Sequence, residues 1–577
     1  MSTPLTFLAA VPPPSAGTFL DARTSVDSWS RVEPLFDQLE RHSLESATKL
    51  QAWLVFCSEL QAAIDEELSL RYIASTRDTA SDALDQAYLD YIETVTEPAK
   101  ERWHRLHLRY LASTGRGDLE PRRYAVLDRI IENEAALFVA DNLALETAEA
   151  RHSRRYQRLM GNMTVDFDGQ QRTLPEMRPY LEELDRSRRK AAWQAVEQRR
   201  FQDKDELEDV FHELVLLRGQ MASNCGFASY RDYMFRRLRR FDYGPRDCEQ
   251  LHATTERFAM PSVRMVQQQL ADQLGVSVLR PWDLLADPDG ESPLSPFTST
   301  EALREGCQTI FERVFSAFGE QFCELSRYGL LDLASRVGKA PGAYQITLAR
   351  RRLPFIFMSS AGGHEDVVAL LHEGGHAFHC CLTRHEPLLV YRDVPTEIAE
   401  VASMAMELLG ARHLEVFYSQ HDAERARRRQ LRGIIPFFAW AATIDAFQHA
   451  IYTATERSKA ARRNTWAHLR ARYAGLVDHH GLEELQQVEW LQQSHLFETP
   501  FYYVEYVIAQ LGALQVWQRS LADPLGAVNA YRKALGLGGS RPLPELFAAA
   551  GATLDFSGNV MLPLLRLIHS HLTPAPR

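Results

Sequence analysis

His372-Glu373-Gly374-Gly375-His376 is the stretch of this chain whose residue types and spacing can do chemistry. On a helix, side chains four residues apart share a face, so two imidazoles at that spacing can meet one Zn²⁺ at about 2.0–2.1 Å. Glu373 projects beside them, where it can take a proton from a water held by the metal. A zinc site that works on substrates needs a third protein ligand and an open fourth position. Downstream, TEIAEVASMAMELL reads as an amphipathic helix offering Glu397, Glu400 and Glu407. Glu397 fits the first turn of that helix, where the dipole favours a carboxylate. Small residues after Glu400, Ala402 and Ser403, allow close approach of another helix. Glu407 lies two turns further on, roughly 10 Å along the axis, so Glu400 and Glu407 cannot both ligate one ion. Chemistry alone does not choose among the three.

The elements that must position these groups are mostly helices. Val367, Val368, Leu370, Leu371, Ala377 and Phe378 give the histidine segment apolar faces, and its two glycines are tolerable in a helix if something approaches closely there. From residue 28 onward, apolar residues recur at three and four with little glycine or proline, as in LQAWLVFCSELQAAI. The convincing β signal is confined to GKAPGAYQITLARRRLPFIFMSS, read as two short strands joined by an arginine turn. Residues 276–298, rich in Pro, Gly, Asp and Ser, read as a connection. The organisation expected is a flexible lead-in at 1–25, an N-terminal helical lobe at 26–200 and a catalytic helical region at 201–577.

Bulk properties bound the partners. The 577 residues exceed what one core usually serves. With 45% hydrophobic and 24% charged residues the chain is an ordinary globular one. A net charge of −11 argues against nucleic acid as a partner, and the arginine runs near 236–240 and 425–432 read as solvated helix faces. Seven scattered cysteines without a CxxC pair fit a reducing, cytoplasmic compartment. The opening MSTPLTFLAAVPPPSAG lacks a basic start and is read as a lead-in rather than a signal peptide. GIIPFFAWAATIDAF, residues 433–447, is too short to span a bilayer and reads as a buried core helix, so no membrane partner is expected.

PFIFMSSAGGHEDVVALLHEGGHAFH followed by EIAEVASMAMELL resembles the M3 metallopeptidases, in particular the oligoendopeptidase F branch related to thimet oligopeptidase. HLFETPFYYVEYVIAQLGALQVW and the weaker stretches RPWDLL, GKAPGAYQ and IDAFQHAIY extend the resemblance over about residues 185–520. It implies an all-α, mainly helical fold: two helical lobes flanking a deep substrate channel, with one small sheet beside the active site. It assigns the third ligand of a single zinc to Glu400, with His372 and His376, and implies cleavage of short peptides at internal bonds. It places His495, Tyr503 and Tyr506 opposite the scissile bond, with Tyr502 as a competitor, to stabilise the oxyanion. Gly342, Ala343 and Tyr344 are expected to bind the peptide as an added strand, and His364 to reach substrate from the glycine loop. The alternative is a related HExxH carboxypeptidase or dipeptidyl carboxypeptidase, distinguished by stepwise release from the C-terminus.

Overall fold

The computed structural model describes residues 10–287, 290–336 and 338–572. The fold is mainly helical, with two small sheets. The chain forms two compact units, each assembled from three stretches. The first comprises Met1–Phe138, Ser295–Ala426 and Ala509–Leu554; the second comprises Val139–Leu294, Arg427–Ile508 and Asp555–Arg577. The boundary read at residue 200 falls inside the helix Arg186–Gln202 of the second unit. Of the lead-in, residues 1–9 lie outside the described residues, as does 573–577 of the tail. Thr18, Phe19 and Leu20 are tied down, their backbone N–H groups donating to the Glu59 carboxylate at 2.9 Å.

In the first unit the long helix Ala47–Arg77 contains no glycine or proline, and Ser46 caps it by accepting from Lys49 N. Its apolar face packs with the helices Trp29–Arg41, Glu97–Leu111 and Pro121–Leu137 into one core. Its C-terminal end reaches the sheet: Thr76 Oγ1 and Tyr344 Oη lie 2.7 Å apart.

Five strands occur among the described residues. β1 (Thr164–Phe167) and β2 (Gln170–Thr173) form an antiparallel hairpin in the second unit that the sequence reading did not anticipate. β3 (Leu331–Ala334), β4 (Ala343–Leu348) and β5 (Leu353–Ser360) form a sheet in the first unit, in the order β3-β5-β4. β4 and β5 are the two strands expected and pair antiparallel; β3, also unanticipated, adds in parallel. The central β5, LPFIFMSS, is buried over its first six residues, so both of its faces are covered there. The arginine turn between β4 and β5 is bolted down. Arg350 donates to the carbonyls of Asp21 and Thr24, Arg351 pairs with Glu66, and Arg352 donates to Arg384 O.

The apolar segment 433–447 lies in the helix Gln420–Thr453. That helix is long and apolar enough to cross a membrane, but 78% of its most apolar window is buried, the burial of a core helix.

In the second unit two buried arginines set the segment that carries the aromatic cluster. Arg218 donates to the carbonyls of Leu496 and Phe497 and to Tyr452 Oη, and pairs with Glu149. Arg240 donates to Phe501 O and pairs with Glu505 at 2.8 Å. Arg240 is thus a core ion pair rather than part of a solvated basic face.

Candidate metal centre

β5 runs through residues 361–363 into the helix His364–Thr383. Asp366 Oδ2 accepts from the backbone N–H groups of Ala361, Gly362 and Gly363, and Gly362 takes φ +96°, a turn that glycine permits. One turn apart on this helix, the rings of His372 and His376 stand 4.9 Å apart. The helix Thr396–Gly410 packs against them and brings in Glu400. Glu400 Oε2 lies 3.4 Å from His372 Nε2 and 3.7 Å from His376 Nε2. Ligand atoms bonded at about 2.0–2.1 Å to a tetrahedral ion sit roughly 3.4 Å apart, so this donor set fits one Zn²⁺. The packing that allows it is at Gly375: a Cβ there would meet Ala402 O at 2.5 Å and Ser403 Cα at 2.6 Å.

Behind the donors stand groups that orient them. Glu407 Oε1 is 2.7 Å from His372 Nδ1, and Ser403 Oγ donates to Glu400 Oε2 at 2.9 Å. A carboxylate on Nδ1 turns Nε2 toward a metal and raises the basicity of the ring. Burial opposes charging of His372, but the Glu407 hydrogen bond prevails and moves its pKa up to about 9 in the metal-free protein. Burial alone dominates at His376, lowering it to about 4 and keeping the imidazole neutral, the form that ligates. Glu407 was left without a role by the sequence, because its part here depends on how the two helices pack. Glu407→Ala is expected to weaken zinc binding by about 10–100-fold with the fold intact, measured by competition with a chelating indicator.

Glu373 is buried beside the ligands, and that burial, partly offset by His372, pushes its carboxyl up to about 7. Glu397 is buried in the first turn of the helix Thr396–Gly410, whose N-cap is Pro395. His364 is the first residue of its helix, buried, with Nδ1 2.9 Å from Tyr418 Oη. Gly342 takes φ +97°, which accounts for glycine at that position, and its carbonyl accepts from Ser359 N. Ala343 opens β4, which has β5 on one side only within the sheet. The Tyr344 side chain is committed to the fold: it stacks on Phe357 at 4.7 Å and bonds to Thr76.

In the second unit, His495 sits in the short helix Ser494–Glu498 and gathers three tyrosines. Its ring centroid is 5.1 Å from Tyr503, 5.7 Å from Tyr506 and 5.9 Å from Tyr502. Burial raises the Tyr503 hydroxyl to about 12, so it stays protonated and able to donate. The His495 tautomer follows from its neighbours. Trp440 Nε1 can only donate, and it donates to Gln493 Oε1 at 3.1 Å. That orients the amide so that Gln493 Nε2 donates to His495 Nδ1 at 2.7 Å. The neutral ring therefore carries its proton on Nε2. If His495 serves as an oxyanion donor, as the family resemblance implies, Gln493→Leu is expected to lower kcat by about tenfold while KM changes little, because the ring loses its set tautomer. A rise in KM at constant kcat would assign Gln493 to substrate binding instead.

The sequence pattern of peptidase family M3 matches residues 180–561. Among curated proteins, group B oligopeptidase PepB of Streptococcus agalactiae is 25% identical over 49% of this chain and 46% of its own length. Oligoendopeptidase F of Lactococcus lactis subsp. cremoris is 24% identical over 45% of this chain and 43% of its own. The chain thus spans about half the length of the curated relatives it matches. Among solved structures, PZ peptidase A with inhibitor 2 superposes with a TM-score of 0.89 at 26% identity, over 94% of this chain and 97% of that one. Oligoendopeptidase-F from Enterococcus faecium shares the fold at a TM-score of 0.63 and 15% identity, over 94% of this chain and 96% of that one. The family pattern covers the histidine helix, the glutamate helix and the His495 segment together, and the chain belongs to peptidase family M3.

Proposed function

We propose that this chain is a zinc-dependent endopeptidase that hydrolyses internal bonds of short peptides. The observation that carries the proposal is the Glu400 oxygen standing 3.4 and 3.7 Å from two imidazole nitrogens, with a buried carboxylate, Glu373, beside them. His372, His376 and Glu400 hold the ion, one per chain, and leave the fourth position to the reaction. Zinc bound there supplies Lewis acidity to a water and to the scissile carbonyl. Glu373 takes the proton of the attacking water and passes it to the leaving amine. Glu407 keeps His372 oriented throughout. His495, through Nε2–H, and the hydroxyls of Tyr503 and Tyr506 are the donors proposed for the oxyanion, with Tyr502 beside them. The backbone of Gly342, Ala343 and Tyr344 is the proposed strand partner of the peptide.

The oligopeptidase and oligoendopeptidase names of the relatives support a peptide substrate. The seven free cysteines support a reducing, cytoplasmic setting. The test is digestion of quenched peptides of increasing length, with free and amidated C-termini, and mass spectrometry of the products. Internal fragments from both forms, fading as length grows, are the expected result. Release of C-terminal residues from the free form alone would replace this reading with the carboxypeptidase one.

A further inference from the structure

Two helices of the second unit each carry a pair of ligand-type side chains one turn apart. Cys248 and His252 stand four residues apart on Pro245–Thr254. Asp445 and His449 stand four apart on Gln420–Thr453, in its part beyond residue 427. All four are buried. The donor atoms of Cys248, Asp445 and His449 lie within 4.8 Å of one another. His252 Nε2 is 2.7 Å from Asp445 Oδ2, which leaves the other carboxylate oxygen to account for. Asp445 Oδ1 and His449 Nδ1 are buried without a hydrogen-bond partner, and His449 Nε2, 3.4 Å from Asp445 Oδ2, makes no hydrogen bond of acceptable geometry either. Buried polar atoms are normally satisfied, and unsatisfied atoms on two residues whose ligand groups gather with a buried thiol call for a ligand. The surroundings are dry: Phe235 and Phe501 present their rings edgewise to His449, at 5.9 and 5.6 Å.

We propose that Cys248, Asp445 and His449 bind a divalent transition metal, Zn²⁺ by donor type, as a second site separate from His372, His376 and Glu400. Asp445 offers Oδ1, while His252 donates to Oδ2 and fixes the carboxylate, the arrangement that commonly orients metal ligands. Ligands at roughly 2.0–2.3 Å around a tetrahedral ion sit about 3.4–3.8 Å apart, so donors within 4.8 Å of one another close on an ion with a shift of no more than about an ångström. As the sulfur–metal bond forms, the Cys248 thiol releases its proton to solvent. The ion joins the helix Pro245–Thr254 to the helix that anchors the tyrosine segment, because Gln448, next to His449, accepts from Phe501 N. The site is therefore structural, holding the start of that segment rather than touching peptide.

Cobalt tests this, since only a cysteine ligand gives a sulfur-to-cobalt charge-transfer band. Protein stripped with chelator and reloaded with Co²⁺ is expected to take up about two equivalents and to show that band. A His372→Ala/Glu400→Ala double variant is expected to keep about one equivalent and the full band; Cys248→Ser is expected to lose the band and one equivalent. Absence of the band from both the wild type and the double variant would overturn the proposal and leave a buried His–Asp pair. So would a band that survives Cys248→Ser. If Cys248→Ser fails to fold, the wild type and the double variant still decide. A double variant that loses no metal counts against the catalytic site, not against this one.

Discussion

Glu373→Gln is expected to lower kcat by about a thousandfold while zinc content stays at the wild-type level. Glutamine keeps the volume and one hydrogen-bonding oxygen but cannot accept the proton of the attacking water. The position is buried and is not one of the three donors, so the ion keeps its full ligand set. The measurement is kcat on an internally quenched peptide, alongside metal content on the same sample. A loss of activity that parallels a loss of metal would make Glu373 a structural support of the site. The wild-type pH profile carries the same information. A base at this position would work only as carboxylate, so activity is expected to rise with pH through its pKa and to fall away on the acid side. Burial sets that carboxyl at about 7 in the metal-free protein, and a neighbouring dication favours the charged form. The acid limb is therefore expected below about 7, and it is expected to be missing from the residual activity of Glu373→Gln.

The parts of this site written in local spacing were legible from the chain, and the parts made by packing were not. His372 and His376 meet because they are four apart on one helix, a relation the sequence states outright. Glu400 needed the family resemblance, since three glutamates on the next helix were chemically equivalent until the helices were packed. The role of Glu407 depends on a hydrogen bond between two helices, which no spacing encodes. β4 and β5 announced themselves through β-branched and aromatic residues, but β3 is four residues long and pairs in parallel with a strand more than twenty residues later. The β1–β2 hairpin did carry a signal. Asp168-Gly169 turns it with φ of +53° and +72°, a turn that a DG pair favours. QQRT, the second strand, is mostly exposed and has no apolar alternation to mark it as a strand. Tyr344 was expected to meet peptide through its backbone as part of an added strand, and its ring is held within the fold by Phe357 and Thr76. Helical periodicity marks the buried face of a helix but not its partner, so the interleaving of the two units along the chain was invisible.

Gly375→Ala is expected to disable the centre without touching a ligand. The added Cβ would stand 2.5 Å from Ala402 O and 2.6 Å from Ser403 Cα, both backbone atoms of the helix that carries Glu400 and Glu407. Neither can rotate aside, and Ala402 O is also pinned from behind by the Tyr531 hydroxyl at 2.7 Å. The helix itself has to move. Overpacking of this kind typically costs about 1–3 kcal/mol. The larger consequence is geometric. A displacement of about an ångström carries Glu400 away from its place 3.4 and 3.7 Å from the two imidazole nitrogens and stretches the Glu407–His372 hydrogen bond, and misplacement on that scale costs about a hundredfold in rate. Gly374→Ala is the control. Its Cβ would meet the ring of Phe311 at 2.3 Å, and its three nearest atoms all belong to that side chain rather than to a backbone. Gly374→Ala is therefore expected to lower the melting temperature while leaving zinc affinity within a few-fold of wild type, whereas Gly375→Ala lowers both. Equal zinc affinity in the two variants would mean that the helix packing and the ligand geometry are independent. In that case the small residues at 375, 402 and 403 would serve the core and not the metal.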